Sequence, residues 1–409
     1  MRNTNTNPVL RFPEFKGVWK KETLDKVFFK KSIKNKGSNV KTVLTNSAVQ
    51  GIILQNDYFD KEIANQNNLE GYYLVEVDDF VYNPRISVSA PVGPLKRNKL
   101  CLGVMSPLYT ILKNIKGELG FFEYYFETRY WYKYMRSIAN YGVRHDRMNI
   151  TSEGFQKLPV PFPSLDEQKK IADFLIQIDN RITQLSEKKE YLELYKKGIT
   201  QKIFSQKLRF KDENGKDFPD WQTKKFEKIF KRVTTKNIEN NNNVLTISAQ
   251  HGLINQQDFF NKSVSANDVT GYYLIKKGDF AYNKSYSKGY PMGAIKPLKK
   301  YEKGVVSTLY ICFNLIDNSN PDFYEHYFES GKINKQIHKI AQEGARNHGL
   351  LNLSVVEFFK DIDILEPHIK EQEKIASFLN EISQQISFIS EQLEETRIFK
   401  KGLLQNMFI

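Results

Sequence analysis

Glu167–Leu175 reads EQKKIADFL, and Glu371–Leu379 reads EQEKIASFL. One phrase written twice, about two hundred residues apart, decides how the chain is organised. Downstream, KKGITQKIF at Lys196 returns as KKGLLQNMF at Lys400. Upstream, YFET at Tyr125 returns as YFES at Tyr327, and GVMSPLY at Gly103 as GVVSTLY at Gly304. Further back, GYYLVEVDDFVYN at Gly71 matches GYYLIKKGDFAYN at Gly271, and TNSAVQGIILQNDYFDK at Thr45 matches TISAQHGLINQQDFFNK at Thr246. Matches in a fixed order over half the chain mark an internal duplication. The repeat is also cyclic, because LRFPEFKGVW at Leu10 reappears as LRFKDENGKDFPDW from Leu208. A duplicated unit suggests pseudo-two-fold symmetry and two similar surfaces for a partner.

The Glu-Gln phrases open long helices. PFPSLDEQ around Pro161–Gln168 places prolines, then Ser and acids, where a helix starts, and EPHIKEQ around Glu366–Gln372 does the same. Apolar residues then fall at Ile171, Leu175, Ile178, Ile182 and Leu185, and in the second copy at Ile375, Leu379, Ile382, Ile386 and Ile389. That spacing predicts one narrow seam of coiled-coil type. At about 1.5 Å per residue, each helix would run roughly 57 Å. The two helices are the natural partners for each other's seams, and an antiparallel pair preserves the symmetry. The alternative is that each helix packs on its own domain.

Between the helices the pattern changes. YYLVEV at Tyr72, NVLTISA at Asn243 and VVSTLYICF at Val305 are β-branched and aromatic runs bounded by turn residues, and read as strands. FFEYYFETRYWYKYMRSIA from Phe121 reads as helix. The expected fold class is α+β: a domain over 1–164, a long helix over 165–207, a second domain over 208–367 and a second long helix over 368–409.

The chain has 409 residues, 61 Lys+Arg against 47 Asp+Glu, and a net charge of +14. A polyanion is the first partner to consider, although Lys-rich, Asn-rich composition also follows from AT-biased coding. The charge is not evenly spread. Counted by segment, it is about +9 on the first domain, +4 on the second, +2 on the first helix and −1 on the last. The excess sits on the domains, which suits phosphate contact, and the helices are nearly neutral, which suits a spacer or protein interface. No run of about 18 apolar residues is present, so a membrane span is not expected. The N-terminus lacks an apolar signal segment, and two cysteines, Cys101 and Cys312, are too few for a disulfide framework. Both suit a cytoplasmic protein.

Basic and hydrogen-bonding residues gather in segments that Gly and Pro mark as loops. In the first copy these are Asn83, Arg85, Lys96 and Arg97, then Arg144, His145 and Arg147. In the second they are Asn283, Lys284, Tyr286, Lys288, Tyr290 and Lys296, then Arg346, Asn347 and His348. Each first loop begins Tyr-Asn and then diverges, as a shared scaffold with different contact residues would. Arg can grip guanine, Asn can grip adenine, and Lys mostly meets phosphate. Any one of these residues could equally be a solvated loop charge.

Catalytic signatures are not apparent. No glycine-rich phosphate loop, nucleophile elbow or Asn/Asp-Pro-Pro-aromatic motif occurs; Asn83-Pro84-Arg85 is the nearest approach. The six histidines, at 145, 251, 326, 338, 348 and 368, are not spaced as helical metal pairs, so no metal site and no catalytic residue are expected.

Two variable domains, each followed by a Glu-Gln-x-Lys-Ile-Ala-x-Phe-Leu helix, resemble the specificity subunit of type I restriction–modification systems. Glu167, Gln168, Ile171 and Ala172, with Glu371, Gln372, Ile375 and Ala376, carry the resemblance. Gly142-Val-Arg144 and Gly344-Ala-Arg346 look like the family's segment before the helix. Ile364–Pro367 departs from the Pro-x-Pro seen at Pro161–Pro163. The resemblance implies two target recognition domains, each reading one half of a bipartite, asymmetric double-stranded DNA sequence. It implies an antiparallel coiled coil that sets the distance between the halves and docks two methylation subunits. Restriction subunits complete the complex. S-adenosylmethionine, ATP and Mg2+ would sit on those partners, with no cofactor on this chain. The competing readings are a self-contained DNA methyltransferase or nuclease, and a non-catalytic RNA-binding scaffold.

Overall fold

The computed structural model describes residues 7–58, 69–140, 146–248, 252–260, 268–287, 289–341 and 351–409. The chain divides into two compact units. The first is Met1–Ser186 with Glu391–Ile409, and the second is Glu187–Ser390.

In the first unit, four antiparallel strands lie in the order Phe28–Lys31, Thr110–Asn114, Phe80–Tyr82 and Leu95–Arg97. Three two-stranded ladders surround this sheet: Lys20–Thr23 with Pro159–Phe162, Leu44–Ser47 with Gly51–Leu54, and Tyr73–Val75 with Gly103–Met105. The helix Leu119–Glu127 packs its buried aromatic residues into a core with Phe28, Phe80 and Trp131.

The second unit repeats this strand for strand. Its sheet runs Phe230–Val233, Ile311–Leu315, Phe280–Asn283 and Ala294–Pro297. Its ladders are Gln222–Lys225 with Asp363–Glu366, Leu245–Ser248 with Gly252–Asn255, and Tyr273–Lys276 with Lys303–Val306. Pro321–Glu329 is the matching helix, with Pro at its first position and the Asn320 side chain capping the Asp322 and Phe323 amides.

Two stretches differ from the sequence expectation. VVSTLYICF is not one strand: a turn closed by the Tyr310 amide on the Ser307 carbonyl separates Lys303–Val306 from Ile311–Leu315. The helix expected from Phe121 is two helices, Leu119–Glu127 and Tyr132–Ile138. Thr128 breaks it by turning to extended backbone, while its amide and hydroxyl both bond the Tyr125 carbonyl.

The central helix spans Leu165–Phe204 and the terminal helix Ile369–Asn406. In the first unit, Ile171, Leu175 and Ile178 of the central helix share a core with Leu403, Met407 and Phe408 from the end of the terminal helix. Lys400 pairs with Asp179 at 2.8 Å and Glu127 at 3.2 Å. Burial alone would lower the Lys400 pKa; the two carboxylates outweigh it and raise it. In the second unit the roles reverse. Ile375, Leu379, Ile382 and Ile386 of the terminal helix share a core with Ile199, Ile203 and Phe204 of the central one. The two helices are therefore antiparallel. The early seam positions serve both arrangements weighed above, packing on their own domain and on the other helix together. Beyond the domain contact, Leu185 and Ile389 are buried and Ile182 is half-buried.

The Glu-Gln phrase has a physical explanation. Glu167 is buried, and Arg11 grips it with two hydrogen bonds of 2.6 and 2.8 Å while the Trp19 indole donates a third at 3.0 Å. Glu371 is held by Arg209 at 3.2 and 2.8 Å and by Trp221 at 3.1 Å. The neighbouring glutamines accept the Glu118 and Asn320 amides and donate to the carbonyls of Pro163 and Pro367. A buried carboxylate survives because a bidentate guanidinium pairs with it. The phrase thus locks the first turn of each long helix onto the domain before it, through the Arg and Trp that the cyclic repeat also duplicates.

Candidate nucleic-acid interface

Each unit carries a loop between the last two strands of its sheet, and the base of that loop is built alike in both. The Tyr82 hydroxyl donates to the Val92 carbonyl at 2.8 Å, and Tyr282 donates to Met292 at 2.7 Å. Asn83 and Asn283 accept the amides of Arg85 and Ser285 with their side-chain oxygens, each at 3.0 Å. Gly93 and Gly293 close the loops at φ +81 and +77, where a Cβ would stand 2.1 and 2.2 Å from the Asn83 and Asn283 carbonyl oxygens. Only glycine meets both demands. The tips share a turn as well: Ser87 and Ala90 exchange two backbone hydrogen bonds, as do Ser287 and Tyr290.

The structure brings the two loop segments of each copy together. Arg85 pairs with Arg147 in an isolated antiparallel bridge, flanked by Ile86 to Asp146 at 3.1 Å and Met148 to Pro84 at 2.9 Å. In the second unit the Leu351 amide donates to the Lys284 carbonyl at 3.1 Å. Sequence order leaves these segments about 60 residues apart; the sheet frame makes them neighbours.

The candidate residues fall into three groups. Arg85, Tyr286, Lys284, Tyr290 and Arg147 lie on the loops, with Arg85 and Tyr286 exposed and the others partly so. Arg147 lies 3.5 Å from Asp146. A second group is engaged by the fold itself. Asn83 is buried, donating to the Asn46 carbonyl. Asn283 is partly buried at the loop base. Lys96 is a half-buried strand residue opposite Val81. Arg97 is tied to Asp78 at 2.6 Å and Glu123 at 3.4 Å. Lys296 is buried against Glu329, which also meets Lys196 at 3.7 Å. Burial opposes ionisation of Glu329, but the two lysines prevail and hold its pKa below the ordinary carboxylate value. The third group, Arg144, His145, Lys288, Arg346, Asn347 and His348, lies outside the described residues.

Sequence reasoning did not single out the exposed Ile86 and Val88 between Arg85 and the buried Ala90. An alternation of apolar and serine residues resembles ordinary strand, and only the turn at Ser87 exposes it. Among the described residues, no group of three His, Cys, Asp or Glu side chains could hold a metal ion, and no helix is long and apolar enough to cross a membrane.

Comparison with known proteins follows the same lines. Residues 19–194 match the type I restriction modification DNA specificity domain. Two relatives from Methanocaldococcus jannaschii align over shorter stretches. The type I restriction enzyme MjaVIII specificity subunit is 31% identical over 93 residues, 22% of this chain and 21% of that protein. The putative MjaX specificity subunit is 33% identical over 116 residues, 27% and 26% of the two. The chain thus spans about a fifth to a quarter of the length of these relatives. The fold is shared far more widely. The crystal structure of the type I restriction-modification S subunit from M. genitalium superposes with a TM-score of 0.55 at 14% identity, over 98% of this chain and 99% of that one. A structure described under complex assembly and conformational transition of the type I R-M system gives 0.52 at 13% identity, over 95% and 96%. The match places a type I restriction modification DNA specificity domain on the first copy, the internal repeat extends the same organisation to the second, and the whole chain shares the fold of these S-subunit structures.

Proposed function

We propose that this chain is the DNA-reading subunit of a type I restriction–modification complex. Each unit reads one half of a bipartite, asymmetric duplex sequence, and the helix pair sets the spacing and docks the methylation subunits, two being expected. One observation carries this reading: two loops with the same base and the same turn present different side chains, Arg85, Ile86 and Val88 in one and Lys284 and Tyr286 in the other. A fixed frame with variable tips separates positioning from base readout.

The chemistry resides on partners. Methylation subunits would bind S-adenosylmethionine, and restriction subunits would use ATP and Mg2+. This chain would hold duplex DNA while the target adenine is flipped for modification. Such a complex acts on DNA in the cytoplasm.

Filter binding over a salt series tests the reading. Duplex DNA should bind in preference to RNA of equal length, with log affinity falling linearly in log salt. Equal retention of RNA would favour a scaffold role instead.

A further inference from the structure

The tip of the first loop is apolar, exposed and rigid. Val88 is 102% exposed and Ile86 is 37% exposed. They do not belong to the core, whose boundary is drawn by the buried Ala90 and Val92 beneath them. The turn beneath them is held at both ends: Ser87 and Ala90 exchange backbone hydrogen bonds of 3.0 and 3.2 Å, and the Ser87 hydroxyl bonds Ala90 and Ser89, each at 3.1 Å. Gly93 pins the return of the loop against Asn83. Ile86 is further fixed by its amide on the Asp146 carbonyl. The exposed Arg85 precedes this tip, and its backbone bridges to Arg147, which lies 3.5 Å from Asp146.

We infer that the Ile86–Val88 tip reads a pyrimidine 5-methyl group, that of thymine, in the major groove of the half-site bound by the first unit. This rests on the functional reading above and assigns a chemistry to one of its loops. An aliphatic side chain gains nothing from phosphate and cannot hydrogen-bond a base edge. The thymine methyl is the one apolar group that the major groove displays. The exposed Arg85 guanidinium supplies a phosphate contact that brings such a tip to the groove. The second unit holds the same turn but carries Tyr286, 59% exposed, where the first carries Ile86. A phenol offers a hydroxyl donor and acceptor in place of a branched alkyl group, so the two half-sites differ in chemistry at this position.

The test uses the full chain with its companion subunits. Mapping modified adenines in expressing cells gives the recognised motif. Duplexes carrying that motif are then made with each thymine replaced singly by deoxyuridine, which removes only the methyl. Wild type should lose about fourfold in affinity at one thymine, the worth of one buried methyl. Placing 5-methylcytosine opposite guanine at a cytosine position tests whether a methyl there is ignored, as a contact specific to the thymine site requires. Val88→Ala should bind the thymine duplex more weakly and no longer distinguish thymine from deoxyuridine. Val88→Thr, which keeps the shape and exchanges one methyl for a hydroxyl, should fall between. Because Val88 is fully exposed, all variants should unfold at the wild-type temperature. Indifference of wild type to every deoxyuridine, or full methyl sensitivity retained by both Val88→Ala and Ile86→Ala, would overturn the inference. A chain that prefers no duplex sequence at all would overturn the functional reading itself, which is a separate result.

Discussion

Lys31 and Asp79 form a buried ion pair of 2.8 Å in the first unit, and the second unit has kept the acid without the base. Lys31 stands opposite Ile111 in its sheet, and Val233 stands opposite Cys312 in the equivalent place. Asp279, the counterpart of Asp79, is buried and accepts the Lys276 amide at 2.8 Å. Burial raises its pKa above the ordinary carboxylate value, against the weaker pull of the Lys276 amide and charge.

The two acids should therefore respond oppositely to one substitution. Asp79→Asn leaves the buried Lys31 with Glu76 as its remaining carboxylate, at 3.0 Å, and should cost the first unit about 1–3 kcal/mol. Asp279→Asn should stabilise the second unit at neutral pH. A carboxyl whose folded pKa is raised binds more protons folded than unfolded. Its penalty is therefore full above the folded pKa and fades as pH falls towards the unfolded value. Unfolding followed by hydrogen exchange at neutral and acidic pH should show the Asp279→Asn gain shrinking as pH falls. A gain independent of pH would contradict it.

The Arg–Trp–Glu clamp should be worth more than a surface ion pair. Glu167 and Glu371 have side-chain exposures of 2% and 0%. Glu371→Gln keeps the shape and removes the charge that holds Arg209, and should destabilise by about 3 kcal/mol. A double-mutant cycle between Arg209 and Glu371 should return a coupling of at least about 1 kcal/mol. Additive effects would mean that the clamp does not act as a unit.

Each unit should feel the loss of the other helix's last turn. Phe408→Ala removes a buried ring from the first unit's core, and Phe204→Ala removes the equivalent ring from the second. Each should cost about 3–5 kcal/mol, with hydrogen-exchange protection lost in one unit only. Equal loss in both units would refute the division of the core.

Gly93→Ala and Gly293→Ala test the loop bases. A Cβ at either position meets backbone, which cannot yield as a flexible side chain would. Together with the positive φ, each change should cost about 1–3 kcal/mol of local order. In the functional reading, each should blunt selectivity in one half-site. Binding to duplexes randomised in one half at a time checks this.

Much of the architecture was legible because duplication makes sequence its own alignment. The repeated phrases by themselves mark the strand-rich domains, the long helices and the loops. The clamp was half-legible: Glu167 and Glu371 stood out, and Arg11 with Trp19 lay inside the repeat, but their contact spans about 150 residues. The fates of the basic residues were not legible. Lys96 and Lys296 hold equivalent strand positions, yet only Lys296 is buried, and the Glu329 that receives it comes 33 residues later. Arg97 likewise looks like a loop cation until Asp78 and Glu123 are seen around it. Charge type can be read from sequence; whether a charge is already paired depends on tertiary neighbours.

The central claim is that each unit reads its own half of the target. Exchanging residues 208–367 for the equivalent domain of a relative with a different target, then mapping modified adenines in cells carrying the companion subunits, tests it most directly. The account predicts that one half of the motif changes while the other half and the spacer persist. A change in both halves would contradict it.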